Sequence, residues 1–248
     1  MNKTIFIVVS IVIILCIISS YKNTESYKSI SSQDAHQGVA VDRSYIYVIN
    51  NKSISKYDKD DFRLADRWVA SESSPIKHLN GGRVEGKYLI CTHNPKKSNS
   101  IEIFKTTTME HIESIPIKIS GSLTWTYIDD TNDELYGLIA HYKNNADETR
   151  LVRFDEKYQI EREWKLPQKV LDDIKPWSLS GGFIYNGFIY CSGHDKSEVY
   201  KLQIDGSELN LIDILPTFGK GQGMDYDEKY LYTIRREQKK VIIAEFDA

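Results

Sequence analysis

Three cysteines in a chain of 248 residues are too few for a disulfide framework, and one of them, Cys16, lies inside an apolar N-terminal run. Cys91 and Cys191 fall in equivalent strands of repeat units that would not be neighbours, so both are expected as buried free thiols. Basic charge is not in excess either. The 32 Lys and Arg face 35 Asp and Glu, and a net charge of −3 offers no field for a nucleic acid. No His-x-His or His-Glu-x-x-His spacing supplies a compact metal motif. Gly81-Gly82 and Gly181-Gly182 lack the Lys-Ser/Thr and the helix that follow a phosphate loop, so phosphoryl and hydride transfer have no cradle.

Long hydrophobic runs are also absent beyond the first twenty residues. The apolar stretch Ile5–Ile18, broken only by Ser10 and preceded by Lys3, covers about 14–16 residues, between a signal-peptide core and a minimal membrane span. Its basic leading end places the rest of the chain outside the cytoplasm. Ile18 is a poor −3 residue for cleavage after Ser20, and Leu15 departs from the small residue that usually precedes a lipidated cysteine. Residues 1–20 are therefore read as a transmembrane anchor or signal peptide, 21–26 as a linker and 27–248 as one domain. The expected location is extracytoplasmic, membrane-anchored or secreted.

What is present in abundance is tyrosine, 16 residues among 11% aromatics, a composition that packs well on pleated strands. Five stretches repeat one pattern: His36–Asp42, His78–Gly86, Gly121–Asp129, Ser178–Asn186 and Gly221–Asp227. Each opens polar and glycine-rich, continues as a short apolar strand, turns, and enters a second strand rich in Tyr and Ile. Aligning Gly38, Gly82, Leu123, Gly182 and Gly223 gives steps of about 44, 41, 59 and 41 residues, the period of a β-propeller with four strands per blade. The fifth unit ends without an outer strand, and Glu25–Ser32 looks like the missing one. The fold is thus predicted to be all-β, a five-bladed β-propeller whose ring is closed by an N-terminal outer strand, behind a membrane-targeting segment. The long fourth step contains Leu166–Trp177, which reads as a short helical insertion.

In a propeller the innermost strand starts, and the next one ends, on the same face. That rule gathers His36, His78, His93, His141 and His194 on one face and leaves only His111 elsewhere. Gln37, Asn80, Trp125, Ser180, Gln222, Arg235 and Arg236 join them. Three readings follow: a divalent metal held by imidazoles, metal-free acid–base chemistry on an anionic substrate, or strand-end capping around ordered water. Under the second, His78, His141 and His194 take the acid–base roles and Arg235 stabilises charge. Gln37, Asn80 and Gln222 orient the ligand, with His36, His93, Trp125 and Ser180 as further contacts. The metal content, and with it any cofactor, is left open.

The motifs HQG, HLNGG, GSLTW, LVRFD, SGG, SGHD and GQG, in that order, resemble those of a family of exported five-bladed propeller proteins, some of them labelled cycloisomerases. The resemblance spans Asp34 to Phe246 and implies the fold and export. The five-bladed architecture is also similar to that of plant-type glutaminyl cyclases. GSLTW shares a Leu-Thr-Trp core with them, but their surrounding acidic and glycine-tryptophan signatures are missing, so no catalytic residue carries over. The resulting expectation is a monomeric propeller that binds a small polar or anionic ligand, with lyase, cyclase or isomerase chemistry. The alternative is a non-catalytic propeller that docks a protein at the cell surface.

Overall fold

The computed structural model describes residues 27–95 and 98–248. The anchor and linker readings for residues 1–26 lie outside them, and no helix among the described residues is long and apolar enough to cross a membrane.

Five four-stranded antiparallel sheets form the five blades of a propeller. Blade 1 holds β2 (Gly38–Val41), β3 (Tyr45–Asn50), β4 (Ser53–Asp58) and β5 (Leu64–Val69) from axis to rim. Blade 2 holds β6 (Leu79–Glu85), β7 (Tyr88–His93), β8 (Asn99–Lys105) and β9 (His111–Ile117). Blade 3 holds β10 (Ser122–Asp129), β11 (Glu134–Ala140), β12 (Arg150–Phe154) and β13 (Ile160–Lys165). Blade 4 holds β14 (Gly181–Tyr185), β15 (Phe188–Ser192), β16 (Glu198–Asp205) and β17 (Glu208–Pro216). Blade 5 takes β18 (Asp225–Tyr226), β19 (Tyr230–Arg235) and β20 (Lys240–Glu245), and its rim strand is β1 (Tyr27–Ser31). β1 pairs with β20 from Tyr27↔Ala244 to Ser31↔Lys240, which closes the ring and leaves no blade incomplete.

Alternation of apolar and polar residues along the strands buries side chains between neighbouring blades. Trp125, 2% exposed, packs with Tyr136, Trp164 and Cys191 between blades 3 and 4. Trp68 meets Phe104 edge-on at 4.8 Å between blades 1 and 2. Cys91 and Cys191 are buried free thiols, and burial raises both far out of the reactive range. The long connection from blade 3 to blade 4 contains the helix α1 (Gln168–Ile174), inside the stretch read as an insertion; its Val170, Leu171 and Ile174 are buried.

Hydrogen bonds run round the axis from blade to blade. The Leu79 N–H donates to the Asn51 carbonyl at 3.0 Å, and Thr92 Oγ1 to the Thr124 carbonyl at 2.8 Å. Thr124 Oγ1 donates to the Leu179 carbonyl at 3.3 Å, and Ser192 Oγ to that of Gln222 at 2.5 Å. The Gly223 N–H, donating to the Gln37 carbonyl at 2.8 Å, completes the circle. At this level the backbones meet. A Cβ on Gly38 would lie 3.0 Å from the Asn80 carbonyl oxygen, one on Gly81 2.9 Å from that of Thr124, and one on Gly223 2.7 Å from Gly38 Cα. The lack of side chains lets four inner strands converge and put a backbone floor across the axis.

Candidate functional site

Above that floor is a small cavity of about 190 Å³. Its wall takes one residue from every blade, Gln37, Asn80, Thr124, Ser180 and Gln222, and all but Thr124 stand just before an axial glycine. Converging inner strands therefore place five hydrogen-bonding side chains around one axis. His78 and His194 add imidazoles, Arg236 a guanidinium, and Tyr142 and Trp177 two aromatic rings.

Most of these groups are held. Gln37 Nε2 donates to Asn51 Oδ1 and Asn80 Nδ2 to Asn94 Oδ1, both at 2.7 Å. Gln222 Nε2 reaches the His194 carbonyl at 3.4 Å. Arg236 Nε donates to the His36 carbonyl at 3.0 Å and its Nη2 to Gln222 Oε1. His194 stacks on Trp177 at 4.7 Å and 18° between rings. Its Nδ1 lies 2.8 Å from Asp195 Oδ1, within ion-pair range but not aligned as a hydrogen bond.

Two histidines near Arg236, His36 and His78, are kept neutral. Burial, then the charges of Arg236 and Lys239 and the neighbouring His78, lower His36 to about 4, and its buried Nδ1 has no partner among the described residues. Burial, with His93 and Arg236, also lowers His78. Both imidazoles are thus uncharged at neutral pH beside a permanent cation.

Of the site residues expected from the sequence, Gln37, His78, Asn80, Ser180, His194 and Gln222 line this cavity together. The others stand apart. His93 accepts the Lys77 N–H at its Nε2 (3.0 Å) and turns Nδ1 to Ser100 and Glu102, so both nitrogens are engaged inside blade 2. His141 lines a neighbouring recess of about 430 Å³, with Nδ1 3.5 Å from Glu148 and Nε2 3.3 Å from Arg150. Trp125 is in the core rather than at the mouth. His36 lies behind Arg236, touching it through its carbonyl. Arg235 donates to the Phe218 carbonyl at 2.6 Å and sits over the Tyr27 ring, because the 3₁₀ turn Arg236–Gln238 sends the next residue inward instead. Among the described residues no three His, Cys, Asp or Glu side chains are grouped to hold a metal ion.

Thr124, Tyr142 and Trp177 were not among the residues the sequence singled out as site residues. Thr124, followed by Trp125, takes in blade 3 the place that residues before an axial glycine hold in the other four blades. Tyr142 and Trp177 come from connections whose path no strand period specifies.

The fold and site together define a five-bladed β-propeller with a blind, polar axial cavity. No protein-family model and no curated protein matches the sequence. Solved propeller structures do match the fold. Glutaminyl cyclase of Myxococcus xanthus superposes with a TM-score of 0.60 at 8% identity, covering 89% of this chain and 96% of that one. The PQQ-bound aldose sugar dehydrogenase of Streptomyces coelicolor gives 0.53 at 9% identity over 88% and 98%. The WD40 repeats of RRP9 give 0.52 at 12% over 90% and 98%. At these identities the likeness concerns architecture.

Proposed function

We propose that this protein is an exported, membrane-anchored propeller that binds a small anion in its axial cavity. The observation that carries the reading is Arg236. Its half-buried guanidinium donates to two neutral oxygens, and no Asp or Glu lines the cavity. Of the two carboxylates whose charges reach it, neither lines the cavity: Glu237 is in ion-pair range of Lys220, and Asp195 lies beside His194. A partly desolvated cation with no carboxylate bonded to it is incompletely compensated, and a bound anion would add charge-assisted hydrogen bonds worth about 1.5–3 kcal/mol each.

The chemistry such a site supports is proton transfer next to a held anion, in the manner of a lyase, cyclase or isomerase. His78, neutral and beside Arg236, is the group placed to accept the proton. A substrate presenting an amine would meet a cation and no carboxylate, so the cavity's charge disfavours that class. The alternative, a docking propeller, would draw on exposed Leu64, Val69, Ile112, Ile160 and Ile212. These are spread over four outer strands, whereas Tyr142 and Trp177 converge on one cavity. Export is supported by Lys3 and the apolar run Ile5–Ile18 in the sequence.

The test is calorimetric titration of the full-length protein with small carboxylates and oxyanions, beside Arg236→Gln and Arg236→Lys. Saturable binding should weaken at least ~10-fold in Arg236→Gln, about 1.4 kcal/mol, and partly survive in Arg236→Lys. Equal affinity in a folded Arg236→Gln protein would refute the anion site.

A further inference from the structure

We infer that the anion carries a flat unsaturated ring that lies against Trp177, making the ligand a small aromatic or heteroaromatic carboxylate. This rests on the anion-site reading above and adds the shape of the ligand to its charge.

Two of the large apolar side chains left open to solvent, Trp177 at 41% and Tyr142 at 39%, stand on the wall of the same cavity. Exposed aromatics gathered at a concave site are what a ligand covers. Trp177 is not exposed for want of anchorage. The insertion that carries it buries Val170, Leu171 and Ile174, and the Trp177 N–H donates to the Ile174 carbonyl at 2.9 Å. The Lys143 N–H, donating to the Pro176 carbonyl at 2.7 Å, fastens the Tyr142 segment to the Trp177 segment. Thr149 Oγ1 and Ser178 Oγ, 3.1 Å apart, tie the same two connections again. These bonds hold the indole rigidly while part of it stays open to solvent.

His194 stacks on one face of the indole and fixes the plane of the ring, and a planar partner packs on an aromatic surface better than a puckered one. Size agrees. The cavity's 190 Å³ is below the ~300–1,000 Å³ of sites for drug-sized ligands, which leaves room for one ring and its carboxylate. Arg236 takes the charge and Trp177 the ring.

The experiment compares benzoate with cyclohexanecarboxylate, which carries the same charge on a puckered ring, by calorimetry on the full-length protein, Trp177→Leu and Trp177→Phe. Benzoate should bind at least tenfold tighter to the wild type. The gap should close in Trp177→Leu, through weaker benzoate binding, and largely persist in Trp177→Phe. Equal binding of the two acids by the wild type, or an undiminished gap in Trp177→Leu, overturns the ring assignment and leaves the anion site standing. Absence of saturable binding of either acid overturns both.

Discussion

Asn80 Nδ2 donates to Asn94 Oδ1 at 2.7 Å, and Gln37 Nε2 repeats the bond to Asn51 Oδ1 at the same distance one blade earlier. In each pair an inner-strand amide on the cavity wall is held by an asparagine fourteen residues on, just past the end of the second strand. The repeat is a device of the blade: the hairpin returns the chain to the same face and brings a partner for the wall residue.

A double-mutant cycle over Asn80→Ala and Asn94→Ala should therefore show coupling of about 0.5–1.5 kcal/mol in chemical denaturation, the net worth of one part-buried hydrogen bond. Additive single effects would mean that the two amides do not hold each other in solution.

Closure of the ring gives a second expectation. Ile30, 5% exposed, is the buried residue of β1 and packs with Val241 and Ile243 of blade 5. Ile30→Ala should cost about 2–4 kcal/mol through lost burial and the cavity left behind. The neighbouring Lys28→Ala, on an exposed position, should cost less than ~0.5 kcal/mol. Urea midpoints of the two variants measure this, and equal midpoints would show that the N-terminal strand does not close the ring.

Much of this architecture was legible in the sequence because it depends on period. The segment expected as the orphan outer strand, Glu25–Ser32, contains β1, and each of the five repeated stretches contains the inner strand of its blade. The axial register was not legible. Gly82 and Gly182 align with Gly38 by motif, yet Gly81 and Gly181 form the floor. The pairing of β6 with β7 shifts between Leu79 and Gly82, and that of β10 with β11 between Leu123 and Trp125. Such a shift changes which face each residue takes. Gly82 consequently accommodates Ile49 and Cys91; β14 pairs with β15 without a shift, and its Gly182 accommodates the Trp125 ring. The same cause hid Thr124 and buried Trp125. Histidines could be assigned to a face by topology, but whether each one's nitrogens were free depended on partners such as Lys77 and Glu102, which no spacing reveals.

Three buried carboxyls give stability a pH dependence with limbs of opposite sign. Burial alone would raise Glu102, but hydrogen bonds from His93, Ser100, Ser114 and His111 outweigh it and hold the carboxyl at about 2. Asp34 is likewise held at about 2, where Arg67, Ser53, Ser55 and Asn50 overcome its burial. Both bind protons less tightly when folded, so their contribution is complete above their unfolded values of 4.5 and 3.8 and is lost as pH falls toward 2. For Glu102 this is on the order of 3 kcal/mol. Asp225 runs the other way. Burial pushes it up to about 7, against the N–H groups of Val41 and Tyr226, so its contribution is complete below 3.8 and is lost as pH rises to 7. Thermal melts from pH 2 to 8 should show a shallower acid limb in Glu102→Gln. The margin of wild type over Asp225→Asn should narrow between pH 4 and 7 and then level off. A margin that widens over that interval would contradict the assignment of Asp225.

The axial floor makes the most local demand of any feature in this fold. A Cβ on Gly181 would stand 2.5 Å from Gly223 Cα and 2.7 Å from both the Gln222 carbonyl oxygen and the Met224 nitrogen. All three are backbone atoms of the neighbouring blade, so no rotamer change relieves the contact and the inner strands themselves must separate. Separation would also stretch the bond from Ser192 Oγ to the Gln222 carbonyl and shift Ser180 and Gln222 on the cavity wall. Gly187 serves as the control. Its φ of +75° strains any side chain, but a Cβ there meets nothing within 4 Å. Gly187→Ala should therefore cost only about 1 kcal/mol, the ordinary penalty of a left-handed turn position. Gly181→Ala should cost more than ~3 kcal/mol and weaken benzoate binding in whatever fraction stays folded. If the two variants melt together, the inner strands have slack at the axis, and the cavity floor is not the close-packed backbone that its geometry describes.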